Sequence, residues 1–249
     1  MPKLTKINDK ENFFIGIDLG GREKKTSGIC ILRKTKEGIL PDKNWCIFCQ
    51  DFYGKDVLNK IKKYLKEIKV IAIDAPLTKG KGKGKMRLYE KFLSTKFFKK
   101  EKVSPIPPAL MPELSNFGQE LVKILEKKGF VLDLNLIEVF PTLVEKICGQ
   151  GLSLKIIKER SLPCKTENHP FDRLGVMVSS SNHQKSALIC AILAVLHSQF
   201  KTRYLGYKDG FLFLPEVSFW KKSWMKKFFK NWKERPRLKY HHLITNIFY

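Results

Sequence analysis

Acidic side chains are scarce in this sequence: 24 Asp and Glu stand against 48 Lys and Arg, a formal net charge of +24 with a pI near 9.8. That imbalance points to an anionic polymer or an anionic membrane surface as partner, nucleic acid being the commoner of the two. A lysine-rich surface selected for heat stability would raise Glu together with Lys. Here Glu does not rise. Cysteine is also sparse and scattered, at Cys30, Cys46, Cys49, Cys148, Cys164 and Cys190. With no secretory signal, these read as the reduced thiols of a cytoplasmic protein rather than a disulfide framework. Cys46-x-x-Cys49 has no second pair at zinc-ligand spacing, and residues three apart on a strand face opposite ways, which argues against a zinc or redox site. Long apolar runs are missing too. The run from Ala187 to Leu196 falls far short of the ~20 residues of a membrane span, so no transmembrane segment is expected.

What the chain does have is enough apolar content, 43% hydrophobic against 29% charged, to bury the core of one large domain or of a domain with an appendage. Phe13-Phe14-Ile15-Gly16-Ile17-Asp18-Leu19-Gly20-Gly21 reads as a buried strand delivering one carboxylate to the mouth of a sheet. Val70-Ile71-Ala72-Ile73-Asp74-Ala75-Pro76 repeats the design, with Pro76 turning the chain out of the sheet. A carboxylate beside an apolar core is costly to desolvate unless a cation or hydrogen bonds compensate it. Either Asp alone reads as a turn cap. Two of them suggest a shared divalent metal.

Around these strands the pattern predicts further elements. Ser27 to Leu32 and Asn44 to Phe52 continue a three-strand meander, and Asp56 to Ile68 sets apolar residues at helical spacing before the Asp74 strand. A mixed sheet follows, with Asp18 and Asp74 at one edge. Lys79-Gly80-Lys81-Gly82-Lys83-Gly84-Lys85 lacks the Gly-Lys-Ser/Thr of a P-loop, and is either a basic loop able to wrap a phosphate backbone or a solvated linker. Its place beside Asp74 favours the ligand. Arg87 to Lys100 and Glu113 to Lys128 read as helices around a proline-rich loop, Ser104 to Pro112. Leu134 to Pro141 reads as a strand carrying Glu138 near its end. Only helical turns and loops are predicted from Thr142 to Asn182. Ser181 or Asn182 then caps a buried helix running from His183 to about His197.

Gly16-Ile17-Asp18-Leu19, Ile73-Asp74-Ala75-Pro76-Leu77, Arg87-x-x-Glu90, Phe117-Gly118, Ile137-Glu138-Val139-Phe140-Pro141, the Ala187-to-Ala194 helix and Gly206-Tyr207-Lys208-Asp209-Gly210 follow one another in the order seen in a domain-of-unknown-function family of predicted ribonuclease-H-related nucleases, which residues 13–215 resemble. The resemblance implies an α/β, ribonuclease-H-like fold: a mixed five-stranded sheet, three-strand meander plus parallel strands, flanked by helices. It further implies a metal-dependent nuclease hydrolysing phosphodiester bonds, with Mg²⁺ or Mn²⁺ held by Asp18, Asp74 and Glu138. Where the family pattern has an Asp in the late helix, this chain has Ser186. Three carboxylates only just balance two divalent ions and a phosphate, so that change weakens a second metal and opens the alternative of a nucleic-acid-binding protein with decayed chemistry. Two roles are open to each residue: Ser186 as a metal ligand through its hydroxyl or a water and His183, one turn earlier, as a proton carrier, or, more plainly, close packing for Ser186 and a helix-start hydrogen bond for His183. An actin-like or sugar-kinase ATPase shares the Asp-x-Gly opening. It would need amides after the second Asp, where Pro76 stands.

Residues 216–249 depart from the resemblance and read as a basic aromatic extension to a 1–215 domain. Trp220, Trp224, Phe228 and Trp232 recur every fourth residue among lysines, one aromatic helix face. That face either docks on the domain or, with Lys221, Lys222, Lys226 and Lys227 on phosphates and Trp224 stacking a base, joins Lys79, Lys81, Lys83, Lys85 and Arg87 as a nucleic-acid surface; a membrane-surface helix is the remaining alternative.

Overall fold

Five strands form the central sheet of the computed structural model, which describes residues 12–34, 45–81, 83–149, 181–235 and 242–247. They are β1 (Asn12–Asp18), β2 (Ser27–Lys34), β3 (Trp45–Phe52), β4 (Ile68–Asp74) and β5 (Leu136–Glu138), in the order β3-β2-β1-β4-β5. The first three are antiparallel neighbours, and β4 and β5 run parallel to β1, so the sheet is mixed. The protein is therefore α/β, with helices on both faces of a five-stranded mixed sheet. Covering both faces explains why β1 and β4 are apolar without alternation. Ile15, Ile17, Ile71 and Ile73 enter one core with α1 (Val57–Ile61) and α4 (Pro112–Glu126). Phe14, Val70 and Ala72 enter the other with α5 (Pro141–Cys148) and α6 (Asn182–Ser198).

α6 lies unusually close to the sheet. A Cβ at Gly16 would overlap the Ala187 carbonyl and the Ala191 amide nitrogen, and one at Gly28 would overlap the His183 carbonyl. Gly16 opposite Ala187 and Ala191, and Gly28 opposite the His183 and Gln184 backbone, thus let backbone meet backbone. Ser181 is the cap, its hydroxyl accepting the Gln184 amide at 3.1 Å.

Several elements are shorter than their sequence pattern. The predicted helix from Asp56 to Ile68 is α1 flanked by 3₁₀ turns at Gly54–Asp56 and Lys62–Tyr64, and Ile68 already belongs to β4. Leu58, Ile61 and Tyr64 are three apart, a spacing that suits 3.0 residues per turn. Arg87 to Lys100 divides into α2 (Leu88–Leu93) and α3 (Lys96–Lys100), because Thr95 is extended and starts a new helix. The strand predicted from Leu134 to Pro141 is only Leu136–Glu138, and Pro141 opens α5 instead of ending that strand, a position where its missing N–H costs nothing. Residues 150–180, with Cys164, and Gly82 lie outside the described residues, as do the side chains of Cys46 and Lys83.

A second sheet follows α6, with β6 (Thr202–Tyr207), β7 (Gly210–Pro215) and β8 (Ile244–Thr245) in the order β7-β6-β8. The extension after Pro215 is built into the domain, not appended. Trp220, Trp224 and Phe228 of the segment that forms α7 (Lys222–Glu234) are buried in the core around Phe92 and Phe98, and β8 pairs with β6.

Candidate functional site

The register of the central sheet places its carboxylates. Asp18 on β1 is directly opposite Asp74 on β4, one inter-strand spacing of about 4.8 Å away, and on the other side Asp18 faces Gly28, which in turn faces Asp51 on β3. Directly opposed residues share a face, so Asp51, Asp18 and Asp74 form one acidic row across the sheet, interrupted only by Gly28. The α6 N-terminus sits over that gap. His183 Nδ1 is 2.9 Å from Asp18 Oδ2, and the Ser181 hydroxyl donates to Asp51 Oδ1 at 2.7 Å. Carboxylates at a helix N-terminus also oppose the positive end of its dipole.

Burial raises the Asp18 pKa, the His183 hydrogen bond and charge partly counter it, and Asp51 adds to it. Asp74 is pushed well above the usual carboxylate range by burial, then by the charges of Asp18 and Glu138. Among the described residues no donor is hydrogen-bonded to the Asp74 carboxylate. Asp74 is thus the uncompensated member of the row. The Cys190 thiol lies beneath it, against the backbone of Asp74 and Ile17, and is driven well up by burial and by both carboxylates. Ser186 is one turn before Cys190 and one turn after His183 and is partly exposed.

Glu138 is held apart from the row. Its partner on β4 is Ile73, not Asp74, and its oxygens are taken by the Arg87 guanidinium, the Tyr89 hydroxyl and, at 2.9 Å, the Leu77 amide. Burial raises its pKa more than the Arg87 charge lowers it. Glu138 nonetheless lines the same cavity as Asp18 and Asp74, and to ligate a metal it would have to give up these donors. Arg87 corrects the predicted nucleic-acid surface. It is only 1% exposed, its guanidinium shared between Glu138 and Glu90, and it cannot reach a phosphate backbone from the surface. Burial alone would lower the Arg87 pKa, but the carboxylate charges more than reverse that and keep it cationic. Asp209 completes the support, its Oδ2 accepting the Leu88 amide at 2.9 Å and its carbonyl the Thr78 hydroxyl at 2.7 Å.

The other predicted nucleic-acid contacts divide. Lys79, Lys81 and Lys85 are exposed, and the loop they share is folded: Gly80 packs against the Lys85 carbonyl and Gly84 takes φ +70° beside Pro107. It is not an open linker. Lys221, Lys222, Lys226 and Lys227 are exposed as well, although Lys227 pairs with Glu101 at 2.8 Å. Trp224 is not available to stack a base, because it is 6% exposed and its ring lies 5.7 Å from that of Phe97. The residue that sequence reasoning missed is Asp51. Its signal was present, since β3 is a third apolar strand with an Asp near its end.

Asp18 and Asp74 open onto a cavity of about 210 Å³. A larger one, about 780 Å³, lies at the other end of β1 and β4 around Asn12, Lys69 and His197, but it gathers no pair of carboxylates and is the poorer candidate. Among the described residues no group of three or more His, Cys, Asp or Glu side chains is arranged to hold a metal ion. Two carboxylates suffice for an ion that keeps waters and takes its other ligands from a substrate phosphate, as Mg²⁺ does. Asp18 and Asp74, all-oxygen and one without a donor, fit that requirement. No described helix is long and apolar enough to cross a membrane. No family model, curated protein or solved structure matches the chain.

Proposed function

We propose that this protein is a ribonuclease-H-like, metal-dependent nuclease, hydrolysing phosphodiester bonds of nucleic acid with Mg²⁺ or Mn²⁺ held between Asp18 and Asp74. The observation that carries the reading is the in-register pairing of these two residues on parallel strands, with no donor to Asp74 among the described residues. A bound divalent ion would supply an activated water and neutralise charge on the phosphate. The chain's own residues do the rest. Asp18 holds the His183 ring by Nδ1, which leaves Nε2 as the nitrogen able to exchange a proton. Lys79 and Lys81, exposed just beyond the Asp74 strand, attract the polyanion.

A second reading, a nucleic-acid-binding protein of the same fold with weakened chemistry, is favoured by Ser186 and by the use of Asp18 and Asp51 to anchor α6. One experiment separates the two: melting temperature and cleavage of a labelled oligonucleotide, each with and without Mn²⁺. The nuclease reading expects Mn²⁺ to raise melting and support cleavage in the parent, both to vanish in Asp74→Asn, and both to grow in Ser186→Asp. A response confined to Ser186→Asp supports the weakened protein. If Mn²⁺ moves neither quantity in any of the three, no metal binds between Asp18 and Asp74 and the nuclease reading falls.

A further inference from the structure

The cavity beside the acidic pair is two-sided. Asp18 and Asp74 stand at one end of it, while Ile106 and Met111 of the proline-rich segment and Leu114 of α4 form an apolar wall. Ile106 is 55% exposed. Leu110, four residues on, is 73% exposed, so apolar surface continues along the segment. Arg87 also lines the cavity, and its Nε–H, buried with the rest of a side chain only 1% exposed, has no acceptor among the described residues. The lysine loop packs onto the same segment through Gly84 and Pro107, which brings positive charge to the rim.

At about 210 Å³ the cavity is smaller than the roughly 300–1,000 Å³ of pockets for drug-sized ligands, so it suits one flat ring rather than a polymer segment. We propose that it takes a single unpaired nucleobase next to the scissile phosphate, the ring lying against Ile106 and Met111. The inference rests on the nucleic-acid reading above and narrows it to single strands, frayed ends or extruded nucleotides. A base kept in a duplex stack cannot enter such a pocket without first being unpaired.

The test compares two single-stranded DNA oligonucleotides of equal length and phosphate count, one with bases and one abasic throughout, bound in EDTA at fixed salt and read by fluorescence anisotropy. Because charge is matched, any difference belongs to the bases, and because metal is absent the result is independent of catalysis. One buried base should make the base-bearing strand bind severalfold tighter, because its ring removes apolar surface from water against Ile106 and Met111. In Ile106→Ala/Met111→Ala that ratio should fall severalfold while abasic binding and the melting temperature stay unchanged. A ratio near one in the parent, or a ratio that survives in the double variant, overturns the proposal. Absence of binding by both strands removes the nucleic-acid reading itself, and the cavity proposal with it.

Discussion

At the scale of single residues, Asp74 is the group whose protonation should register in stability. Its folded pKa lies above the unfolded value of about 3.9, so the folded state keeps a proton that the unfolded chain has already released. The stability linked to Asp74 is therefore fully present below about pH 4 and is lost as pH rises through the raised folded pKa. Asp74→Asn removes that loss. In EDTA the variant should be more stable than the parent at neutral pH, and the difference should vanish toward pH 4. Chemical denaturation of both proteins across that range checks it, and a variant less stable than the parent at neutral pH would mean that Asp74 is compensated after all. Mn²⁺ should close the gap from the parent's side, by binding the ionised form.

The next scale is the contact of α6 with the sheet, because that contact decides whether His183 and Ser186 stand over the carboxylates. It depends on Gly16 and Gly28, whose Cβ positions are occupied by helix backbone. Gly16→Ala must push α6 outward or strain the strand, at about 1–3 kcal/mol or more for overpacking against backbone that cannot turn aside. Gly21→Ala is the control: its nearest neighbour, the Lys24 side chain, would be 3.8 Å from the new methyl, and a surface change of this kind stays within roughly 0.5 kcal/mol. Urea unfolding should show a lower midpoint with unchanged slope for the first variant only. Equal midpoints would mean that the helix adapts freely, and that its register over Asp18 is not fixed by these glycines.

For the whole molecule the question is where the +24 charge is used. The tail helix spends Trp224 and Phe228 on the core, Phe228 being 0% exposed among Phe92, Phe98 and Trp220, so it offers a nucleic acid its exposed lysines and Phe229 rather than that aromatic face. The loop after Asp74 is the nearer cationic surface. Single-strand binding should weaken with salt by ~0.7 in log K per log salt for each phosphate neutralised, so replacing Lys79, Lys81 and Lys85 with Ala should reduce the slope by up to about two. Affinity measured at several salt concentrations gives the slope directly. If the loop variant keeps its slope and Lys222→Ala/Lys226→Ala loses it, the strand runs over the tail and not past Asp74.

The sequence by itself determined the strands that end in Asp18 and Asp74, the mixed sheet they share and the buried capped helix that crosses it, because period, strand length and turn chemistry are local properties of the chain. Asp51 was within reach of the same reasoning. Only the tertiary structure decided what each charge does. Glu138 and Asp74 look alike in sequence, each near the end of an apolar strand, yet one residue of register sets Asp74 beside Asp18 while Glu138 is held by Arg87, Tyr89 and the Leu77 amide. Arg87 and Lys85 are two residues apart in one basic segment, and one is buried while the other is exposed. The aromatic stripe of α7 carries no mark of its partner, since an apolar face fits any apolar surface of matching shape; the partner was set by where Phe92, Phe97 and Phe98 come to lie. Burial and pairing arise between segments far apart in the chain, and a pattern read along one segment carries no information about the distance to another.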